Sequence, residues 1–435
     1  MPVGTSFAHT TMFTVAAYRA RPGDGRTDTV CLVPDEVREP SALDGVLVAD
    51  FSRVLAGPLA TMVLGDLGAE IVKVEHPDGG DDTRAWGPPW SPDGASSYYL
   101  GLNRNKRSVT LDLKDPTDLD AAKDLARRAD VVIENFRPGV MRRYGLDEPA
   151  VRATNPAVVY CSILGIGRGD VPGYDFLAQA VGGLMSVTGD PEGEPRKVGV
   201  ALVDVMAGLH ATIGIVAALR HRERTGEGQL VEVDLLSTTL FSLVNQASGY
   251  LTAGVVPHRM GNRHPSIAPY ETFATSDGPI VIAVGNDGQF RTLCRSLGVK
   301  TLADDPSFAT NGDRVTNRDA LVGALEARLR SASAASWVDV LRREGIPCGV
   351  VHDVAEAFAY ARTVGLDPVA TLRRRDGIEV DTVVNPLRMS LTPIRYDLPP
   401  PSLGEHTGEV LGRAREKDVP RGTIRGEPGN AKEKP

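Results

Sequence analysis

The sequence predicts an α/β protein: a large domain built on a parallel sheet with helices on both faces, followed by a smaller α/β domain. Three observations carry this expectation. Residues 45–75 read as one strand–helix–strand unit, the same alternation repeats downstream, and the character of the chain changes near Gly254. Such alternation needs crossover helices, and these cover both faces of a parallel sheet.

Taken in order, Gly45-Val-Leu-Val-Ala-Asp-Phe51 is an apolar run of strand length. Gly57-Pro58 then opens a helix with Pro at its first position, and Leu59, Met62, Val63 and Leu67 supply the apolar stripe. Gly68 closes it, and Glu70 to Glu75 forms the second strand. Ser108 to Leu113 is read as a strand, Thr117 to Arg128 as a helix with early Asp and late Arg, and Val131 to Glu134 and Ala157 to Ile163 as further strands. A long helix from about Val205 to Arg224 ends at Thr225-Gly-Glu-Gly228, and Gln229 to Leu235 resumes as a strand. The Pro-, His- and Gly-rich stretch Val256 to Pro269 leaves this Rossmann-like domain. Strand-like Ile280 to Val284 and helices around Gln289 and Leu321 then mark the smaller one. The expected organisation is an N-terminal extension over 1–41, a large domain over 42–255, a linker and small domain over 256–384, a return to the large domain over 385–412, and a disordered tail over 413–435.

Composition removes several functions. The 435 residues carry 48 Lys plus Arg against 56 Asp plus Glu, a net charge of 48 − 56 = −8, which argues against a nucleic-acid partner. Cys31, Cys161, Cys294 and Cys348 form no C-x-x-C pair, so a zinc ribbon or disulfide scaffold is not expected and a reducing cytoplasm is. The run from Val198 to Leu219 is broken by Asp204, His210 and three glycines, so no membrane role is expected. The early Thr, Ser and Arg faintly resemble a transit peptide, without an amphipathic stripe.

Familiar motifs fail on inspection. Gly165-Ile-Gly167-Arg-Gly169 follows a strand, but Asp170 replaces the last glycine of a dinucleotide fingerprint and Pro172-Gly173 block an immediate helix. No P-loop or G-x-S-x-G elbow occurs. His258 and His264 are six apart, a poor spacing for metal ligands.

Two carboxylates stand in unusually apolar, glycine-rich company: Asp175 in Gly173-Tyr174-Asp175-Phe-Leu-Ala-Gln179, and Asp204 in Val198 to Gly208. Each reads either as a helix cap or as a functional group. In the functional reading, Asp204 opens the long helix and points into a space that Gly199 and Gly208 leave unfilled, where it can act as a nucleophile. Basic clusters at Asn103 to Arg107 and Asn135 to Arg143 flank strands; they are either solvated charge or the landing place of a phosphorylated ligand at strand exits.

Residues 42 to about 412 resemble the class III coenzyme A transferases, a group that includes formyl-CoA transferase, carnitine-CoA transferases and α-methylacyl-CoA racemases. The resemblance lies in Val48 to Pro58, Gly65 to Glu75, Asn103 to Ser108, Val132 to Gly139, Gly345 to Gly349 and Leu403 to Thr407. Asp81 to Pro89, Ser97 to Leu100 and Ala268 to Phe273 are most similar to the succinyl-CoA:glutarate and related dicarboxylate CoA-transferases.

The resemblance implies that Asp204 is the catalytic carboxylate and that Val54, Leu55, His76, Asn135, Phe136 and Arg143 line the CoA site. Leu55 and His76 depart from the Gln and Arg of formyl-CoA transferase, which turns the expectation away from formate and oxalate. Tyr174-Asp175 stands where racemases carry His-Asp, and a phenol is a poor base at neutral pH, so transfer is favoured over racemisation. Tyr174, Asp175 and Gln179 are expected to touch substrate, and Gly165 to Gly169 or Met260 to Asn262 to supply oxyanion donors. Val198 to Val203 and Phe176 to Leu184 would wall out water. Arg53, Arg104 and Arg263 are the arginines considered for an acceptor's distal carboxylate. The resemblance further implies an interlocked homodimer, CoA thioesters as substrates and no permanently bound cofactor.

Overall fold

The structure is a computed structural model that describes residues 41–412, apart from 168, 170 and 172. The expected N-terminal extension, apart from Ser41, and the C-terminal tail therefore lie outside the described residues.

Six strands form one all-parallel sheet: β1 (Leu47–Asp50), β2 (Glu70–Glu75), β3 (Lys106–Thr110), β4 (Val131–Glu134), β5 (Val159–Leu164) and β6 (Leu230–Asp234), in the spatial order 3-2-1-4-5-6. Strands β1, β4 and β5 are apolar on both faces because helices cover both, which is why they read as continuous runs. The strand order reverses between β1 and β4, so the connections beyond these two strands diverge and leave a crevice at their carboxyl ends.

Helix α1 (Ala56–Asp66) is buried on nearly every side rather than along one stripe. Pro58 sits at its third position, where a missing N–H still costs nothing. Helices α2 (Ser97–Leu100), α3 (Pro116–Arg128), α4 (Val140–Tyr144), α5 (Glu148–Thr154) and α6 (Asp175–Val181) follow. Asp115 caps α3 by accepting from the Thr117 and Asp118 N–H groups.

The long helix α7 (Leu202–Thr225) lies against α1, burying Val203, Ala207, Ala211, Ile215 and Ala218. Gly208 does not border an empty space, as the sequence suggested. A side chain there would meet the Ala56 carbonyl oxygen at 2.6 Å, so the glycine lets the two helices touch. By length and apolar composition α7 could cross a membrane, with a mean hydropathy of 1.9 over 18 residues, which the sequence reading discounted. Its buried face belongs to the core, whereas Leu209, Ile213 and Val216 are exposed. Helices α8 (Leu235–Ser242) and α9 (Val244–Ala253) add exposed Leu240, Phe241, Val244 and Leu251.

A three-stranded antiparallel sheet follows, from β7 (Tyr270–Ala274), β8 (Pro279–Ala283) and β9 (Cys348–Val350), packed on helices Asp287–Leu297, Arg318–Leu329 and Ala334–Arg343. A hairpin of β10 (Val369–Arg373) and β11 (Glu379–Val383) precedes the final stretch.

That stretch runs back over the parallel sheet. Asp66 at the end of α1 is fully buried and accepts from Arg104 Nε and Nη2 (2.8 and 2.6 Å), Asn105 Nδ2 (2.8 Å) and Asn385 Nδ2 (3.0 Å). Asn105 Oδ1 accepts from the Asp397 and Leu398 N–H groups, and the Thr110 N–H donates to Thr407 Oγ1. Arg104 is therefore a structural staple: four of its five guanidinium N–H donors are taken by Asp66, Thr382 Oγ1 and the Val383 carbonyl. Its assignment to a substrate carboxylate gives way to this one, because the guanidinium is buried and its charge is already paired with Asp66.

Candidate active site

A cleft of about 970 Å³ opens at the carboxyl ends of β1, β4, β5 and β6, over the crevice between β1 and β4. Arg53, Val54, Leu55 and Ala56 line it from the β1 exit, Asn135 to Pro138 from β4, Ile163 to Gly165 from β5 and Leu235 from β6. Gly173, Tyr174 and Asp204 complete the wall on the side of α6 and α7. The sheet therefore collects residues from positions 53 to 235 into one place.

The crevice is held by a side-chain amide. The Arg53 N–H donates to Asn135 Oδ1 (2.8 Å), and Asn135 Nδ2 donates to the Arg53 carbonyl (2.7 Å), so Asn135 reproduces a backbone pair where the strands diverge. Arg53 lies over the Phe136 ring, 4.9 Å from its centroid, and pairs with Asp82 at 3.3 Å.

Val54 has φ +69°, a left-handed conformation that a β-branched residue adopts only when its surroundings impose it. Those surroundings are buried charges beneath the cleft. Lys73 Nζ donates to the Ser52 carbonyl (3.0 Å) and to Asp81 Oδ2 (2.8 Å), and Asp81 Oδ1 accepts from the Val54 N–H (3.3 Å). Alongside, Lys106 Nζ meets Asp50, Asn103 Oδ1 and the Pro58 carbonyl, and burial pushes its ammonium down to about 7 against the opposing pull of Asp50.

Asp204 occupies the third position of α7 and caps nothing; Asp175 opens α6 and does not cap that helix either. Instead Asp175 Oδ1 accepts from the Val203 and Asp204 N–H groups (2.8 and 3.3 Å), capping α7 from a neighbouring helix. Asp175 Oδ2 accepts from Gln179 Nε2 (2.7 Å), and Gln179 Oε1 from the Val198 N–H (2.9 Å). Burial first, and the Asp175 charge second, push the Asp204 carboxyl up to about 7. Tyr98 feels the same charges: burial, then Asp204, Asp175 and Asp81, push its phenol up to about 12.

The residues expected from sequence separate into groups. Asp204, Tyr174, Arg53, Val54, Leu55, Asn135 and Phe136 share the cleft. Asp175 and Gln179 stand behind it, in the framework of α6 and α7. His76 lines an adjoining cleft of about 1000 Å³ together with Arg53, Phe136 and Leu111 to Lys114. There its Nδ1 accepts from the Asp78 N–H at 3.0 Å, and its Nε2 lies 3.7 Å from Asp112. Arg143 is exposed on α4 and lines neither cleft. Arg263 is paired with Glu271 and Asp319 near the antiparallel sheet.

Of the proposed oxyanion segments, Gly165 and Gly169 line the cleft, while Gly261 donates its N–H to the Gly189 carbonyl and does not. The apolar wall consists of Val54, Leu55, Phe136, Ile163, Leu164, Val171 and Leu235. Phe176, Val181 and Val200, which the sequence placed in that wall, are exposed outside it.

Asp82 and Tyr98 lie in the segments Asp81 to Pro89 and Ser97 to Leu100 that carry the resemblance, without a role assigned to them there, and the sequence gives no site role to Leu111, Asp112, Leu113 or Lys114. The last four stand directly after β3, so the strand-exit rule was the available signal.

Residues 43–407 match the family described as CoA-transferase family III. This chain belongs to that family. Family III CoA-transferases are enzymes whose substrates are CoA thioesters and carboxylic acids, and the mixed α/β architecture agrees with a solved relative. That relative, a CAIB/BAIF family protein from Brucella suis, is 41% identical over 86% of this chain and 99% of its own, with a TM-score of 0.76. Among curated proteins, a succinate–glutarate CoA-transferase of Agrobacterium fabrum is 43% identical over 378 residues, covering 85% of this chain and 94% of that protein. An acetyl-CoA:oxalate CoA-transferase of Acetobacter aceti is also 43% identical, over 325 residues, 74% of this chain and 83% of its own.

Proposed function

We propose that this family III enzyme transfers CoA from succinyl-CoA to a dicarboxylic acid of the glutarate type, with Asp204 as the covalent nucleophile. The observation that carries the reading is the placement of a partly desolvated carboxylate, Asp204, in a cleft of mixed polar and apolar lining at the strand exits, in a chain whose relatives include a succinate–glutarate transferase.

Ionised Asp204 attacks the thioester carbonyl, forming a mixed anhydride and releasing CoA thiolate. The thiolate attacks the aspartyl carbonyl, the donor acid leaves as its carboxylate, and Asp204 becomes a CoA thioester. The acceptor carboxylate attacks that thioester, giving a second anhydride and thiolate again. Attack of thiolate on the acceptor's carbonyl yields the new acyl-CoA and restores the Asp204 carboxylate. The anhydride linkage to Asp204 is made and broken twice and the thioester bond once, and no water is consumed.

Desolvation helps at two stages. A carboxylate stripped of water is a stronger nucleophile, and the apolar wall keeps water from the anhydrides. Backbone N–H groups of Gly165 and Gly169 are assigned to the oxyanions. Val54, Leu55, Asn135 and Phe136 would carry the thiol end of CoA, with its nucleotide in the adjoining cleft between His76 and Leu111 to Lys114. Arg53 lines both clefts and is suited to the phosphates between them. Arg263 would have to surrender Glu271 or Asp319 to serve the distal carboxylate. The exposed apolar residues of α7, α8 and α9 support a homodimer, since large apolar patches rimmed by polar residues mark contact surfaces. The cytoplasm remains the proposed location, and the free thiols of Cys161, Cys294 and Cys348 fit a reducing compartment.

The test is incubation of the enzyme with succinyl-CoA and a panel of acids that includes glutarate and oxalate, with mass analysis and hydroxylamine trapping. Glutaryl-CoA and a hydroxamate at Asp204 are expected. A preference for oxalate would reverse the substrate assignment, and an adduct solely on another residue would remove the nucleophile.

A further inference from the structure

We propose that Asp175 is a positioning residue for the transfer reaction, controlling the orientation of Asp204 and the pH range in which it attacks by occupying the N–H groups at the start of the nucleophile's own helix. The inference rests on the assignment of Asp204 as nucleophile.

A carboxylate in the first turn of a helix is ordinarily stabilised in its charged form, because unpaired N–H groups give that end a partial positive charge. Asp204 stands in the first turn of α7, where two of those N–H groups are already engaged by another carboxylate. The Val203 and Asp204 N–H groups both point to Asp175 Oδ1. Asp175 therefore takes the favourable donors and adds a negative charge beside the one Asp204 must acquire. The same bonds fix the first turn of α7, and with it the direction of the Asp204 side chain. Asp175 is itself braced: buried Gln179 donates to its Oδ2 and is held in turn by the Val198 N–H.

The other titratable and charged groups around Asp204 are Tyr98 from α2, Tyr174 from the start of α6, and Arg53, Asp82 and Arg137 across the cleft. Among the described residues none of these bonds to the first turn of α7, whereas Asp175 makes two such bonds. The chemical consequence is a nucleophile with a raised proton affinity, which makes it more reactive once ionised and silent at lower pH.

The discriminating variant is Asp175→Asn, whose amide oxygen can still accept from both N–H groups but carries no charge, while its Nδ2 gives up the bond from Gln179 Nε2. In the full-length enzyme, the acid limb of the kcat/KM profile with succinyl-CoA and an accepted acid is expected near pH 7, and in Asp175→Asn about one pH unit lower, a roughly tenfold gain in ionised Asp204 at pH 5. Asp175→Ala, which also loses the cap, should lower kcat more than Asp175→Asn at every pH. A fall in rate with the acid limb unmoved in Asp175→Asn would overturn the proposal.

A second measurement does not depend on turnover. The stabilisation that Asp204→Asn confers at pH 8 relative to pH 4.5 should shrink about tenfold, as an equilibrium ratio, when Asp175→Asn is already present. An unchanged stabilisation would refute the role of Asp175. Near-normal turnover of Asp204→Asn alone would instead refute the nucleophile assignment, and the stability cycle would still decide whether Asp175 controls Asp204.

Discussion

Replacing Asp204 with Asn should make the protein more stable, by an amount that grows with pH. The native Asp204 carboxyl sits near 7, against an ordinary 3.8. Between those values the native state holds a proton that the unfolded chain releases, so stability falls as pH rises through the window. Below pH 4 both states are protonated and this contribution costs nothing. Above pH 7 the folded protein bears the cost of a half-buried charge beside Asp175. Three pH units at 1.36 kcal/mol each bound that cost at about 4 kcal/mol. Asparagine has the same shape and no charge, and no hydrogen bond to the Asp204 carboxyl is seen among the described residues. The expected gain is about 1 kcal/mol at pH 4.5, rising to as much as about 4 kcal/mol at pH 8. Urea titrations of parent and variant at one protein concentration, at pH 4.5, 6 and 8, measure it as a shift in midpoint at constant slope. A gain independent of pH, or a loss at pH 8, would refute the picture of Asp204 as a desolvated, destabilising carboxylate.

Other expectations concern the scaffold of the cleft. Arg104→Ala should cost about 3 to 5 kcal/mol of stability, because it strands the buried Asp66 carboxylate, and urea unfolding would show this. A variant that unfolds normally but binds the acceptor acid poorly would return Arg104 to the substrate. Asn135→Ala removes both bonds across the β1–β4 crevice and should raise KM for the acyl-CoA several-fold with a smaller change in melting temperature. Gly173→Ala would place a methyl group 2.2 Å from the Gly165 Cα; displacement of that loop should lower kcat/KM by roughly a hundredfold, read by steady-state kinetics. Turnover of the parent enzyme should rise as pH increases toward 7 and then level off, and a plateau already reached at pH 5 would contradict the proton affinity assigned to Asp204.

Much of the site was readable because its chemistry is local. Asp204 stood out as a carboxylate within apolar sequence, and strands β2 and β4 were legible to the residue because runs buried on both faces have few alternatives. Arg104 was misjudged because a basic cluster looks alike whether it meets a ligand or a buried Asp66 some forty residues earlier. For Asp175 the sequence leaves open a cap for the segment that follows or a substrate contact, whereas it caps a helix that begins at Leu202. The apolar runs 176–184 and 198–203 looked like cleft walls, whereas Phe176 and Val200 face outward in this chain.

By itself, then, the sequence determined the alternation of strands and helices, the strand exits at which the cleft opens, and a carboxylate in apolar sequence that lines it. These follow from periodicity and from the cost of burying charge, both properties of short segments. Tertiary structure alone decided that the exit of β1 meets the exit of β4 through Asn135, that Lys73 and Asp81 impose the conformation of Val54, and that Asp175 takes the N–H groups beside Asp204. Hydrogen bonds and charge coupling act through space, and the distances that govern them do not exist until the chain has folded.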